Sequence, residues 1–87
     1  MNDFTFTGKG FDDYLYWQTQ NRKTLKKINS LLEDIKRNEV MQGIGKPETL
    51  KHRPGYSRRI DDCNRLVYDV DELQNIKVIS CRGHYED

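Results

Sequence analysis

Eighty-seven residues suffice for one domain with one modest core, and no run of about 18 apolar residues is present that would span a membrane. Hydrophobic residues at 34% and charged residues at 33% make the chain polar, but aromatics at 10% are more than a disordered chain carries, so a folded, very soluble domain is expected, and with no apolar signal core in residues 1–10 the expected compartment is the cytoplasm. The formal net charge of +1 conceals a basic middle: residues 21–65 hold 12 of the 15 Lys and Arg and 6 of the 14 Asp and Glu, which permits a polyanionic ligand although solvated helix faces give the same pattern.

In chain order, Asp3 to Thr7 alternates aromatic and polar residues and predicts a short strand. Lys9 to Gln20 predicts a helix with Phe11, Tyr14, Leu15 and Gln18 on one stripe, and with Asp12 and Asp13 near its positive end. Asn21 to Asn38 carries the clearest pattern: Leu25, Ile28, Leu31, Leu32 and Ile35 recur at helical spacing, with Asn21 placed to cap the start. So few residues separate the two helices that a helical hairpin is expected. Gln42 to Pro47 is a Gly- and Pro-marked loop, and Pro54-Gly55 marks a turn. Three strand-like runs follow, Tyr56 to Ile60, Arg65 to Val70 and Ile76 to Arg82, joined by polar connections of hairpin length. The expected class is therefore α+β, in the order β-α-α-β-β-β, with a mainly antiparallel sheet, the helical hairpin on one face and the other face free for function.

Four residues suggest chemistry: Glu48, Arg65, His84 and Tyr85, with Lys46, Lys51, Arg58, Arg59 and Arg82 adding positive charge. The two histidines, His52 and His84, lack ligand partners at a familiar metal spacing, so no metal or other cofactor is expected. Cys63 and Cys81 match neither a zinc pattern nor a cysteine-enzyme motif and read as reduced structural residues. RNA supplies its own nucleophile, the 2′-hydroxyl. Cutting it takes a base, an acid and a cation for the phosphorane charge, which a carboxylate, an imidazole and an arginine provide. An aromatic ring such as that of Tyr85 stacks on an unpaired base.

The arrangement of these residues resembles a known family. Phe11-Asp12-Asp13-Tyr14-Leu15-Tyr16-Trp17 is similar to the first helix of the YoeB/Txe branch of the RelE-like toxins, and Lys26-Lys27-Ile28-Asn29 to its second. Gly45-Lys46-Pro47-Glu48-Thr49-Leu50-Lys51-His52 resembles the family's G-K-P-E-x-L-K loop. Ser57-Arg58-Arg59-Ile60 and Asn64-Arg65-Leu66-Val67-Tyr68 resemble its central strands, and Cys81-Arg82-Gly83-His84-Tyr85 its C-terminal signature. The resemblance runs in order over nearly the whole chain. It implies a RelE-like microbial RNase fold and ribosome-dependent cleavage of messenger RNA, with Glu48 as general base, His84 as general acid, Arg65 as transition-state cation and Tyr85 holding RNA or the active geometry. It implies phosphate or ribosomal RNA contacts from the basic residues around them, Lys46, Lys51, Arg58, Arg59 and Arg82. It further implies a homodimer, a YefM/Axe-like antitoxin that folds on contact, and operator DNA bound only through the toxin–antitoxin complex. Relatives of similar architecture act on DNA gyrase without an acid–base set, and a non-catalytic RNA- or ribosome-binding module is a further alternative. The chain departs from the pattern by continuing with Glu86 and Asp87, two acids that would repel RNA unless they point away, and by a short link from Lys51 to Ser57.

Overall fold

The computed structural model describes residues 3–38 and 42–84. Its elements in chain order are β1 (Phe4–Phe6), α1 (Gly8–Gln20), α2 (Arg22–Arg37), β2 (Glu48–Thr49), β3 (Tyr56–Arg59), β4 (Arg65–Val70) and β5 (Ile76–Ser80). The expected class and order hold, with one addition: the two residues of β2, read as the end of a loop, pair antiparallel with β3 through Glu48 opposite Ser57. The five strands form one sheet in the order β1-β5-β4-β3-β2. The β3–β4 and β4–β5 pairs are antiparallel, as tight connections require. β1 pairs parallel with β5, Phe4 opposite Ile76, so the sheet is mixed.

Each helix is started by a polar cap. Thr7 Oγ1 accepts from the Gly10 N–H at 3.0 Å and donates to the Ile79 carbonyl at 2.8 Å, so the cap of α1 also fixes the helix to β5. Asn21 alone separates the helices; it ends α1 and caps α2, accepting from the N–H groups of Lys23 and Thr24 at 3.1 Å each. Tyr14 OH donates to Asn29 Oδ1 at 2.7 Å, a contact between positions almost equally distant from the link, as expected of a hairpin. Lys36 and Arg37 lie in the last turn of α2, where the helix dipole favours cations.

The core lies between this hairpin and one face of the sheet. Ile28, Leu31, Leu32 and Ile35 of α2 meet Leu66, Tyr68, Ile76 and Val78, all buried. The face of α1 differs from its expected stripe. Phe11 and Leu15 are 49% and 41% exposed, whereas Gly10, Asp13 and Trp17 are turned inward. Nor does Asp13 serve the helix dipole: its carboxylate accepts from the Cys81 N–H at 3.0 Å and from Lys9 Nζ at 3.0 Å, and Trp17 Nε1 donates to the Cys81 carbonyl at 2.8 Å. A β-bulge explains why Cys81 faces the core. Val67 pairs with Ser80 but Tyr68 pairs with Val78, so Ile79 is an extra residue that reverses the alternation beyond it.

Gly10 is what lets α1 approach β5. A methyl group there would stand 2.3 Å from the Val78 carbonyl oxygen, whereas at Gly8 it would meet nothing within 4 Å. Gly10→Ala is expected to cost about 3 kcal/mol of overpacking against about 1 kcal/mol gained in helix propensity. Thermal denaturation should therefore find Gly10→Ala clearly less stable than the parent and Gly8→Ala unchanged. Equal stability of the two variants would refute the close approach.

Candidate active site

Alternation divides β3 between two tasks. Arg58, opposite Leu66, points into the core, and Ser57 and Arg59 point to the opposite face. Arg65 stands opposite Arg59, and Glu48 opposite Ser57, so register places all four on the face free of helices. The Arg65 guanidinium reaches diagonally to Ser57, with Nη2 at 3.0 Å and Nε at 3.3 Å from Oγ. Nη2 also lies 3.4 Å from Glu48 Oε2. Side-chain exposure is 22% for Arg65 and 65% for Glu48, so the pair faces solvent and is held loosely.

His84 is brought to the same end of the sheet by its predecessor. The Arg65 N–H donates to the Gly83 carbonyl at 3.1 Å, and the Gly83 N–H donates to Asn64 Oδ1 at 2.8 Å. Gly83 adopts φ +86°, which suits a residue without a side chain, and His84 follows it with its ring exposed. Tyr85, Glu86 and Asp87 lie outside the described residues.

The loop that carries Glu48 is anchored from behind. Arg58, fully buried, donates through Nη1 to Asp34 Oδ2 at 2.5 Å and to the Ile44 carbonyl at 3.0 Å, through Nη2 to the Gln42 carbonyl at 2.7 Å, and through Nε to Tyr68 Oη at 3.0 Å. Asp34 Oδ2 also accepts from the Ile44 N–H at 3.1 Å. Burial acts to raise the Asp34 pKa, but the hydrogen bonds from Arg58, the Ile44 N–H and Asn38, together with the Arg58 charge, outweigh it and hold the carboxyl below its ordinary range. Farther along the loop, the Arg59 N–H donates to the Gly45 carbonyl at 2.6 Å, and Lys46 takes a left-handed φ of +50° just before the strand that begins at Glu48. Arg58 therefore does not contact RNA as expected. It is consumed in a buried ion pair that ties α2, the loop and β4 together.

The remaining cations divide. Lys46 and Lys51 are exposed on either side of β2, and Arg59 is exposed on the face of Arg65 and ion-paired with Asp62. Arg82 instead lies over the Tyr16 ring of α1, its Cζ 3.7 Å from the centroid. Cys81 is no nucleophile: burial first, then the Asp13 charge, push its thiol up to about 12, against a smaller opposing effect of Lys9. Among the described residues no group of three or more His, Cys, Asp or Glu is arranged to hold a metal ion, and none of their helices is long and apolar enough to cross a membrane.

Two supporting residues escaped the sequence reading. Ser57 holds the guanidinium of Arg65; strand alternation sets it on the face opposite to Arg58, but in a run of three polar residues only the pairing register shows this. Asn64 holds the segment before His84; its signal was the Asp-x-x-Asn spacing of a side-chain-built turn, in which Asp61 Oδ1 accepts from the N–H groups of Cys63 and Asn64 at 2.8 Å each.

Comparison with known proteins gives this arrangement a context. Residues 6–85 match the family model described as YoeB-like toxin of bacterial type II toxin-antitoxin system. Toxin YoeB of Streptomyces coelicolor is 47% identical over 83 residues, covering 93% of this chain and 96% of that protein. Among solved structures, a YoeB dimer from Staphylococcus aureus superposes with a TM-score of 0.89 at 49% identity, covering 97% of this chain and 98% of the other. A heterotetrameric YoeB–YefM toxin–antitoxin complex from the same species superposes with a TM-score of 0.88 at 48% identity, covering 98% and 99%.

Proposed function

The chain belongs to the YoeB-like toxins of bacterial type II toxin–antitoxin systems, and from that premise we propose that it is a ribosome-dependent endoribonuclease acting on messenger RNA by acid–base catalysis. The observation that carries the reading is the Glu48–Arg65 pair on the open face of the sheet, with His84 held at the same end by the two hydrogen bonds of Gly83. Glu48 takes the proton of the 2′-hydroxyl as its oxygen attacks the adjacent phosphorus. The bond from phosphorus to the 5′-oxygen breaks, and His84 donates a proton to that leaving oxygen, giving a 2′,3′-cyclic phosphate and a free 5′-hydroxyl. Arg65 meets the phosphorane charge; its contacts with Ser57 and Glu48 use Nε and Nη2, and Nη1 takes no part in them. Lys46, Lys51 and Arg59 supply phosphate contacts around this centre, and Tyr85 serves to hold the RNA or the active geometry.

The partners follow the same reading. An antitoxin and a second copy of the chain fit the solved relatives, which include a YoeB–YefM complex and a YoeB dimer. The protein acts on ribosomes in the cytoplasm, and reaches operator DNA only with its antitoxin bound.

Primer extension on a messenger RNA incubated with the purified protein, with and without programmed ribosomes and in excess chelator, tests the proposal. The expected result is cleavage only with ribosomes, unaffected by chelator. Absence of cuts from folded protein under every condition would overturn it in favour of a binding module or a gyrase-directed toxin.

A further inference from the structure

Beyond Cys81 the backbone leaves α1, to which only the Arg82 side chain reaches back, over the Tyr16 ring, and the hydrogen bonds that hold this segment among the described residues are the two at Gly83. One comes from the Arg65 backbone, which any residue would provide. The other ends on the Asn64 side chain, which has no part in the chemistry proposed above. Its orientation is fixed from behind: Asn64 Nδ2 donates to Asp61 Oδ1 at 3.0 Å and Oδ2 at 3.1 Å. With the amide nitrogen held by a carboxylate, only the oxygen end faces Gly83. Asp61 is in turn held by the N–H groups of Cys63 and Asn64, and the Asn64 carbonyl accepts from the N–H groups of Ile60 at 3.0 Å and Asp61 at 3.2 Å. Among the described residues, the β3–β4 turn thus hydrogen-bonds within itself and to Arg59 of β3, and reaches beyond those two strands through Asn64, to the residue before His84.

We infer that Asn64 is a positioning residue that sets His84 relative to Arg65 and Glu48, acting through the Gly83 N–H. The inference rests on the proposed role of His84 as general acid. A displacement of about 1 Å in a reacting group costs on the order of 10²-fold in rate. Loss of the Asn64 amide removes the side-chain restraint on Gly83 while leaving the RNA-facing groups in place. The effect should therefore fall on kcat and spare KM.

The test compares four proteins in the ribosome-dependent cleavage assay: the parent, Asn64→Ala, the exchanged pair Asp61→Asn with Asn64→Asp, and His84→Ala. In the exchanged pair the amide now at position 61 donates to the carboxylate now at position 64. The oxygen of that amide still accepts from the turn, and the carboxylate accepts from the Gly83 N–H. The expected result for Asn64→Ala is a kcat lowered about 10- to 100-fold with KM within about twofold, and recovery to near the parent in the exchanged pair. Amide exchange by NMR adds a readout that needs no cleavage: the Gly83 N–H should exchange at least about tenfold faster in Asn64→Ala, with the Tyr68 N–H unchanged. If His84→Ala cuts normally, the general-acid role falls and the inference with it. If His84→Ala is inactive but Asn64→Ala cuts at the parental rate, only the inference falls. A Gly83 N–H that exchanges no faster in Asn64→Ala, or an exchanged pair that restores its protection without restoring kcat, also overturns it.

Discussion

Arg58→Ala is expected to lower the melting temperature by about 15 °C, and Arg59→Ala, one residue along, by no more than a few degrees. Arg58 is fully buried and its charge is balanced by Asp34. Removing one member of a buried pair leaves the other unpartnered and costs about 3–5 kcal/mol. The lower end applies here, because the Asp34 side chain retains 17% exposure and can regain water. About 3 kcal/mol is a large share of the stability of an 87-residue domain, and converts to a loss of about 12–24 °C. Arg59 is an exposed ion-pair partner of Asp62, a kind of contact worth about 0–1 kcal/mol.

The Arg58 effect also carries a pH signature. Asp34 has a depressed folded pKa, so its contribution is fully present above the ordinary carboxylate value of 3.8 and is lost as pH falls through the lower folded value. Thermal melts from neutral pH to about pH 3 should therefore show the gap between parent and Arg58→Ala narrowing at the acid end. Equal melting temperatures for Arg58→Ala and the parent at neutral pH would refute the anchoring role.

Arg65→Ala should behave in the opposite way, with a smaller loss of stability and a large loss of cleavage. Its contact with Glu48 is 3.4 Å long and worth at most about 1 kcal/mol, and its hydrogen bonds to the buried Ser57 add about 1 kcal/mol, so the cost to the fold is about 1–2 kcal/mol, below that of Arg58. If Arg65 meets the developing phosphorane charge, its removal forfeits a preorganised donor and lowers the cleavage rate about 10²- to 10³-fold. Arg65→Lys should recover only part of this, since an ammonium is a point charge without the planar fork that matches phosphate oxygens. Single-turnover cleavage beside a thermal melt of each variant separates the two effects. Parental cleavage by Arg65→Ala would remove the residue from the mechanism.

The contrast between Arg58 and Arg65 shows what could be read from the sequence. The apolar repeat of α2 identified its buried face because Leu and Ile alone carry it. α1 misled because its inward face is carried by Gly10 and Asp13, which have no apolar signature. Gly10 is there for the methyl group it lacks, and Asp13 for one backbone N–H across the molecule. In β3 the three polar residues Ser57, Arg58 and Arg59 hide the period, and only the pairing register shows that the middle one faces inward. The candidate site followed a similar course. Glu48, Arg65 and His84 stood out by type and by family resemblance. The turn containing Asn64 could be read from its Asp-x-x-Asn spacing, but that Ser57 and Asn64 hold Arg65 and the segment before His84 is known only from contacts between strands and their connections. The parallel β1–β5 pairing was illegible for the same reason, since no local turn connects those strands.

That pairing has a consequence for how the protein comes into being. Phe4 is synthesised long before its partner Ile76. At about 5–20 residues per second, β1 waits roughly 4–14 s for the strand it lies against. β5 also leads directly into Gly83 and His84, so the sheet is completed and the proposed catalytic centre is assembled at the same stage of translation. A chain halted before β5 has neither. The topology thus leaves both the complete sheet and the proposed general acid to the last stage of synthesis.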